Sequence, residues 1–298
     1  MSMANPAQEG LANGESQTAD LESPWQKLLR DRAGLCGVLV IGLFALVWLA
    51  ELFGLAGQHW AQATGGRWEP AGPDHWWGTN VLGQDIFQRS LHSVKVAFEI
   101  GVVVTLGSGL LGAAAGLVAG WRRNSWVDEL VVLLMGILDS IPFYLFVAAL
   151  AFALQGNDFA MQIAMIACFW TTTARLVRAE VLRLREQQFV QAAVLLGLPV
   201  PQVLSRHVLP NTGHILLAQS AIVFATAIKA EVILSFLGLG IQDGVSWGLM
   251  LAESTQEVLV GQFNNFWAAS IPLFAVLLGF NLLADALQSA LDPRQLPA

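Results

Sequence analysis

Three charged residues interrupt long apolar stretches of this chain: Asp139, Lys229 and Glu231. A charge near the centre of a bilayer costs about 2.5–3.5 kcal/mol even on the lenient insertion scale. Each of the three must therefore face water or the interior of a helix bundle. Residues so placed hold helices together, contact a polar solute or couple an ion. Bond-breaking chemistry has less to work with. A P-loop needs a glycine-rich turn followed by Lys-Ser/Thr to cradle phosphates, and none of Lys27, Lys95 and Lys229 follows a glycine. His59, His75, His92, His207 and His214 form no His-x-x-x-His pair, so a zinc site is not expected. Cys36 and Cys168 lie far apart in apolar stretches and read as small hydrophobes. The chain is expected to be no enzyme, with no catalytic residue, metal or cofactor of its own.

The elements that must position these charges are membrane spans. Of 298 residues, 55% are hydrophobic and 12% are charged, against about 25% charged in soluble domains. A net charge of −7 has the wrong sign for a phosphate-binding surface and counts against nucleic acid as a partner. Six stretches reach or approach the ~20 residues that cross a ~30 Å hydrocarbon layer. They are Ala33–Ala50, Ile100–Trp121, Leu130–Leu154, Phe159–Ala174, Ile215–Ile241 and Phe266–Ala284. They are too long for barrel strands and do not alternate as such strands would.

Orientation follows from the basic residues. With the N-terminus inside, Lys27, Arg30, Arg32, Arg122, Arg123, Arg175, Arg178, Arg183, Arg185, Arg206 and Arg294 are cytosolic, whereas only Arg67, Arg89 and Lys95 are external. Both termini are then cytoplasmic. On this layout residues 1–32 are a polar cytoplasmic tail, 33–54 hold the first span and 55–95 form a long external loop. Residues 96–290 are the transmembrane core, with an internal loop at 179–214 and an external one at 242–265; residues 291–298 are a cytoplasmic C-terminus. Trp60, Trp68, Trp76, Trp77, Trp121, Trp126, Trp247 and Trp267 fall near span ends, where an amphipathic ring prefers the interface.

This layout gives the charges depths. Asp139 lies about 10 residues, or ~15 Å, from the inner face, and Lys229 about 15 residues, or ~22 Å. A long side chain bridges that gap, so an Asp139–Lys229 ion pair is one expectation. The other is that Lys229 meets a partner subunit or snorkels outward. Gly112-x3-Gly116-x3-Gly120 makes a small-residue ridge, which permits close helix approach and is expected to serve packing within the chain.

The internal loop reads as two short helices. In the first, Phe189, Val190, Ala193, Val194 and Leu196 share a face, and Gly197 is placed to stop it in the left-handed cap. Pro201 suits the first turn of the second, Val200, Val203, Leu204 and Val208 make its stripe, and Pro210 is expected to end it. Such a pair is either a docking element for a cytosolic partner or a helix pair lying on the bilayer surface.

The residues go further. Gln191-Ala192-Ala193-x3-Gly197, then nine residues, then His207-Val-Leu209-Pro210, resembles the Glu-Ala-Ala loop of ABC importer permeases, with Arg206 just before its second half. Trp77-Gly78-Thr79-Asn80-Val-Leu-Gly83-Gln84-Asp85 is similar to the Gly-Thr-Asp-x2-Gly-Arg-Asp segment of dipeptide, oligopeptide and nickel importer subunits. Trp126-Val-Asp-Glu-Leu130 with Pro142, Ala230-Glu231, Leu234 to Gly240, Ser246-Trp-Gly248, Phe280 to Leu283, Asp285 and Ala290 to Arg294 follow in that family's order. The likeness runs from about His75 to Arg294 and points to the C-type member of the permease pair. Departures are Gln191 for the usual Glu, Asn80 and Gln84 for Asp and Arg, and Leu133 and Gly136 for an Arg and an Asp. Asp139 and Lys229 stand where apolar residues are commoner.

The resemblance implies an all-α polytopic membrane protein of six transmembrane helices with the type I ABC importer permease fold. It implies half of a translocation pathway for peptides or a similar small solute. A second, B-type permease would complete the pore, two cytosolic ATPases carrying ATP and Mg would dock on the internal loop, and an extracytoplasmic binding protein would deliver the solute. Lipid is the remaining partner. An ion-coupled secondary transporter using Asp139, Lys229 or Glu231, and a membrane scaffold that moves nothing, are the alternatives.

Overall fold

The computed structural model describes residues 31–154, 156–240 and 244–291. The expected tail before residue 31 and the C-terminus after Leu291 lie outside the described residues. The helices are α1 (Arg32–Leu52), α2 (Ile86–Trp121), α3 (Trp126–Asp139), α4 (Phe143–Ala153), α5 (Ala160–Arg185), α6 (Gln188–Leu195), α7 (Val200–Val203), α8 (Leu209–Phe236), α9 (Trp247–Leu259) and α10 (Asn264–Leu291). A π-helical turn, Leu204–Val208, joins α7 to α8. Among the described residues five helices are long and apolar enough to span a membrane, or six if α3 and α4 count as one bent span.

Local chemistry sets where these helices start. Asp31 accepts from the Ala33 amide at 3.0 Å, Asp85 from Gln88 at 3.0 Å, Ser125 from Asp128 at 3.4 Å and Ser246 from Leu249 at 3.3 Å. Each is a side-chain N-cap for amides that have no partner inside the helix. The cap at Asp85 moves a boundary. The second span was expected to begin at Ile100, yet α2 begins 14 residues earlier, at Ile86, and runs for 36 residues. Its early turns bury Arg89, Ser90 and Ser93 against neighbouring protein, so hydropathy alone does not reveal them.

Two further expectations are corrected. Leu130–Leu154 is not one straight span: α3 and α4 meet at 96°. Proline has no amide hydrogen and disfavours helical geometry in the residue before it, and Pro142, with φ −56° and ψ 121°, is the point where α4 restarts. Pro210 does not end a helix. It sits in the first turn of α8, where its missing N–H costs nothing, and the chain runs helically from Val200 to Phe236.

Packing gathers into three apolar clusters. The first lies among α1, α2, α8 and α10, where the Phe224 and Phe280 rings stack at 4.2 Å and Phe98 meets Phe224 edge-on at 5.4 Å. Trp247 belongs here too. It was expected at an interface, but it is fully buried, edge-on to Phe44 at 6.2 Å. The second cluster joins α2, α4, α5 and α8 through Val104, Val147, Met165 and Ala227. The third bolts the internal loop to α5 through Val177, Val181, Leu184, Val190, Ala193, Val203 and Val208.

The glycine ridge of α2 lies directly on α5. A Cβ on Gly112 would stand 2.6 Å from Thr173 Cβ, one on Gly116 2.6 Å from the Ala174 carbonyl oxygen, and one on Gly120 2.8 Å from Val181 Cβ. Gly109 on the same helix has open space around it. Gly116→Leu is therefore expected to cost about 1–3 kcal/mol or more by overpacking. In detergent this should appear as a clear fall in melting temperature, with Gly109→Leu leaving it unchanged. Equal behaviour of the two variants would remove the ridge from the account of stability.

Candidate translocation and coupling sites

The internal loop forms the helices its spacing predicts, with a different division of faces. Gly197 has φ +78°, and the Leu198 amide donates to the Ala193 carbonyl at 3.3 Å, closing α6 with a left-handed cap. Val190 and Ala193 point into the cluster on α5, whereas Phe189, Val194 and Leu196, expected on the same face, are exposed. Leu195 and Leu196 are 87% and 81% exposed. Gln191 and Ala192 are also outward, and the Gln191 amide donates to the Glu186 carbonyl at 3.3 Å. Arg206, Leu209 and Pro210 are exposed and His207 is half-buried. The outer face thus carries Gln191, Ala192, Leu195 and Leu196, and the buried face fixes it to α5.

The external motif is a tight turn that starts α2. Gly78 and Gly83 have φ +75° and +73°, a region that L side chains avoid. The Thr79 hydroxyl donates to the Gly66 carbonyl at 2.6 Å and accepts from the Glu69 amide at 2.8 Å. Asp85 caps α2 with one oxygen and accepts from His75 Nδ1 at 2.9 Å with the other. Asn80 is buried; its Oδ1 accepts from the Leu82 and Gln84 amides, and its Nδ2 donates to Gln84 Oε1, each at 2.9 Å. The two departures from the resemblance therefore bond each other, an amide pair at positions where the motif usually has opposite charges. Arg89 completes the unit, donating to Gln84 and gripping both oxygens of Glu253 in α9 at 2.8 and 2.6 Å.

The intramembrane charges do not pair as expected. Asp139 makes its ion pair with Arg175 of α5, and its Oδ1 accepts from the Thr171 hydroxyl at 3.0 Å. Lys229 is exposed on α8. An Asp139–Lys229 bridge is thereby replaced, because the end of α3 lies beside α5 and the guanidinium is within reach. Glu231 is fully buried, and the Ser235 hydroxyl, one turn further along α8, donates to it at 2.6 Å. Sequence reasoning overlooked that Gly244-Val-Ser246-Trp-Gly248 has the spacing of a nucleophile elbow. Here Ser246 is a buried N-cap, and among the described residues no strand precedes it, so that spacing serves a helix start.

Sequence reasoning also missed the ties between helices. Arg178 grips Asp128 through Nε at 2.7 Å and a terminal nitrogen at 2.9 Å, joining α5 to the start of α3. His92 Nδ1 lies 2.6 Å from Glu51 Oε1, joining α2 to α1, and Trp60 stacks on His92 at 4.7 Å. Arg185 donates to the Trp121 carbonyl at 2.6 Å at the ends of α5 and α2. The available signal was the burden such residues carry: an Asp or Glu beside a long apolar run needs a basic partner somewhere in the fold.

The elements of the described residues are all helices, five or six of them long and apolar enough to span a membrane, and buried ion pairs join several of them, the build of a multi-spanning α-helical membrane protein. The chain belongs to the family described as binding-protein-dependent transport system inner membrane component, which matches residues 112–296. It is thus an inner-membrane permease component of such a system. It is similar to the dipeptide transport system permease protein DppC of Bacillus subtilis (strain 168), 31% identical over 280 residues, covering 92% of this chain and 85% of that one. It is also similar to the oligopeptide transport system permease protein OppC of the same organism, 30% identical over 297 residues and covering 98% and 97%. DppC of Alkalihalophilus pseudofirmus is 30% identical over 284 residues, covering 91% and 90%.

The Asp128–Arg178 tie yields a test. Removing one partner of a buried ion pair costs about 3–5 kcal/mol, whereas replacing both with apolar residues is often neutral. Asp128→Ala is expected to lower the yield of folded protein sharply, and adding Arg178→Leu to restore most of it. A double variant no better than the single one would mean that the pair is not what Asp128 is there for.

Proposed function

We propose that this chain is one of two membrane subunits of an ATP-driven ABC importer for di- or oligopeptides. On this reading it has six spans, α3 and α4 forming one of them, and both termini face the cytosol. Its external turn and the α9 segment face an extracytoplasmic binding protein. A second, B-type permease closes the other half of the pathway. ATP and Mg belong to two partner ATPases, and this chain performs no catalysis. Closure of the ATPases draws the docking helices together, and the bundle passes between inward- and outward-open states by rigid-body motion.

The observation that carries this reading is α6. Two leucines stand almost wholly exposed on a helix whose other face is bolted to a span, and apolar surface of that kind marks a protein interface. The basic bias that places 179–214 in the cytosol puts the interface on the ATPase side. Family membership favours this function over an ion-coupled secondary transporter and over a scaffold that moves nothing. The peptide substrate is supported by what the DppC and OppC relatives are named for.

Leu195→Glu/Leu196→Glu changes only exposed positions, so the chain is expected to insert and fold normally. Co-purification of the ATPases and ATP-driven uptake should both fall by about tenfold or more, a loss of ~1.4 kcal/mol or greater. Full ATPase capture by this variant would move the docking site elsewhere. Uptake that persists after deletion of the ATPases would sink the importer reading itself.

A further inference from the structure

The break between α3 and α4 opens a cleft of about 440 Å³ against α5, within the range of about 300–1,000 Å³ usual for small-ligand sites. Asp139, Ser140, Phe143, Phe169, Thr171 and Thr172 line it. The Phe143 and Phe169 rings stack at 5.0 Å and give it an apolar wall. The buried Thr171 hydroxyl lies 3.0 Å from Asp139 Oδ1 and 2.9 Å from the Cys168 carbonyl, with one proton to share between them, while Oδ2 takes Arg175.

This pair differs from the ion pairs that tie helices together near their ends. Asp128–Arg178 and Arg89–Glu253 are largely enclosed, as ion pairs that join helices must be if lipid and water are to be excluded. In Arg175–Asp139 the two side chains are 58% and 40% exposed. The helix that carries Arg175 runs on to Arg185, so this residue, counted from the sequence with the cytosolic ones, stands inside a helix long and apolar enough to span, where an open ion pair can line a water-filled path. The pair is also neutral as a unit. A ligand with only one charge would leave either Asp139 or Arg175 without a partner at membrane depth. A ligand with both charges replaces one internal ion pair by two external ones and leaves nothing uncompensated.

We propose that the open Asp139–Arg175 pair is a subsite of the translocation pathway for the charged ends of a short zwitterionic peptide, Asp139 taking the α-ammonium and Arg175 the α-carboxylate. The proposal rests on the peptide-importer reading above and adds the residues that read the peptide within the membrane. Arg175, on a long exposed side chain, swings away from Oδ2 as the ammonium arrives. Asp139 stays beside Thr171, and the aromatic wall meets an apolar side chain of the peptide.

The test uses the full complex in liposomes, with the binding protein loaded with the dipeptide Ala-Phe. The double variant Asp139→Leu/Arg175→Leu removes both charges and leaves no orphan, and co-purification of the partner subunits reads whether it still assembles. Uptake of Ala-Phe should fall by about tenfold or more. In the wild-type complex the photoreactive dipeptide alanyl-p-benzoylphenylalanine should label residues 138–143 or 168–172 during turnover. Uptake by the double variant at the wild-type rate, or adducts confined to other segments, would overturn the subsite. If the double variant fails to assemble, the photolabel on the wild-type chain decides. A wild-type complex that imports no peptide at all would instead overturn the substrate assigned under the proposed function.

Discussion

The close approach of α2 and α5 along Gly112, Gly116 and Gly120 is the constraint on which the rest of the bundle depends. In lipid there is no hydrophobic drive to bring two apolar helices together, so association rests on packing at short range. The glycines let the α5 backbone come within contact of α2 at Trp170, Ala174 and Arg178. That contact fixes the rotation of α5 as well as its distance. Val177 and Val181 are thereby turned into the bundle and toward the internal loop. Arg175 is left on the outer side with the cleft, and Arg178 reaches the start of α3.

Charge then finishes what packing begins, chiefly at the ends of the helices. On one side Arg178 joins α5 to α3, and Arg185 joins α5 to the last residue of α2. On the other, Arg89 joins α2 to α9, the Val81 amide donates to Glu257 at 3.2 Å, and Glu51 meets His92. These ties work because a charge that has left water is strongly penalised if its partner moves away. They are therefore good at holding one arrangement and poor at recognising a passing solute. The open pair at Asp139 has the opposite properties, and its exposure is what sets it apart.

How much of this could be read from the sequence follows the same division. The centres of the spans were legible because an apolar run of that length has few other uses. Their limits were not, since α2 and α5 extend beyond the apolar runs on turns whose polar residues are satisfied by protein. The left-handed cap at Gly197 was legible because it is a local requirement of one residue. The fate of the prolines was not: Pro142 breaks a span and Pro210 begins one, and which occurs depends on whether the helix comes from before or after. Partners were the least legible. Asp139 finds Arg175 at a separation of 36 residues and Arg89 finds Glu253 at 164, distances over which only the fold decides. Trp247 looked like an interfacial ring until α9 folded it into the core.

α5 brings these strands together. It is one unbroken helix of 26 residues. Thr171, whose hydroxyl meets the carboxylate in the cleft, and Leu184, which underlies α6, lie on the same rod, roughly 20 Å apart at 1.5 Å per residue. A helix clamped along its length to α2 cannot absorb a push by bending between those points. A force applied to the exposed leucines of α6 passes through Val190 and Ala193 into Val181 and Leu184, and from there must move α5 together with α2 as a body. The end of α3 is differently held: its start is tied to α5 by Asp128, but beyond Ser140 the chain turns away by 96°. The cleft lies between a part packed with α6 on one rigid helix and a part that the break sets free from it. A broken span beside a rigid one is thus the arrangement by which displacement at the loop changes the shape of the cleft rather than merely its position.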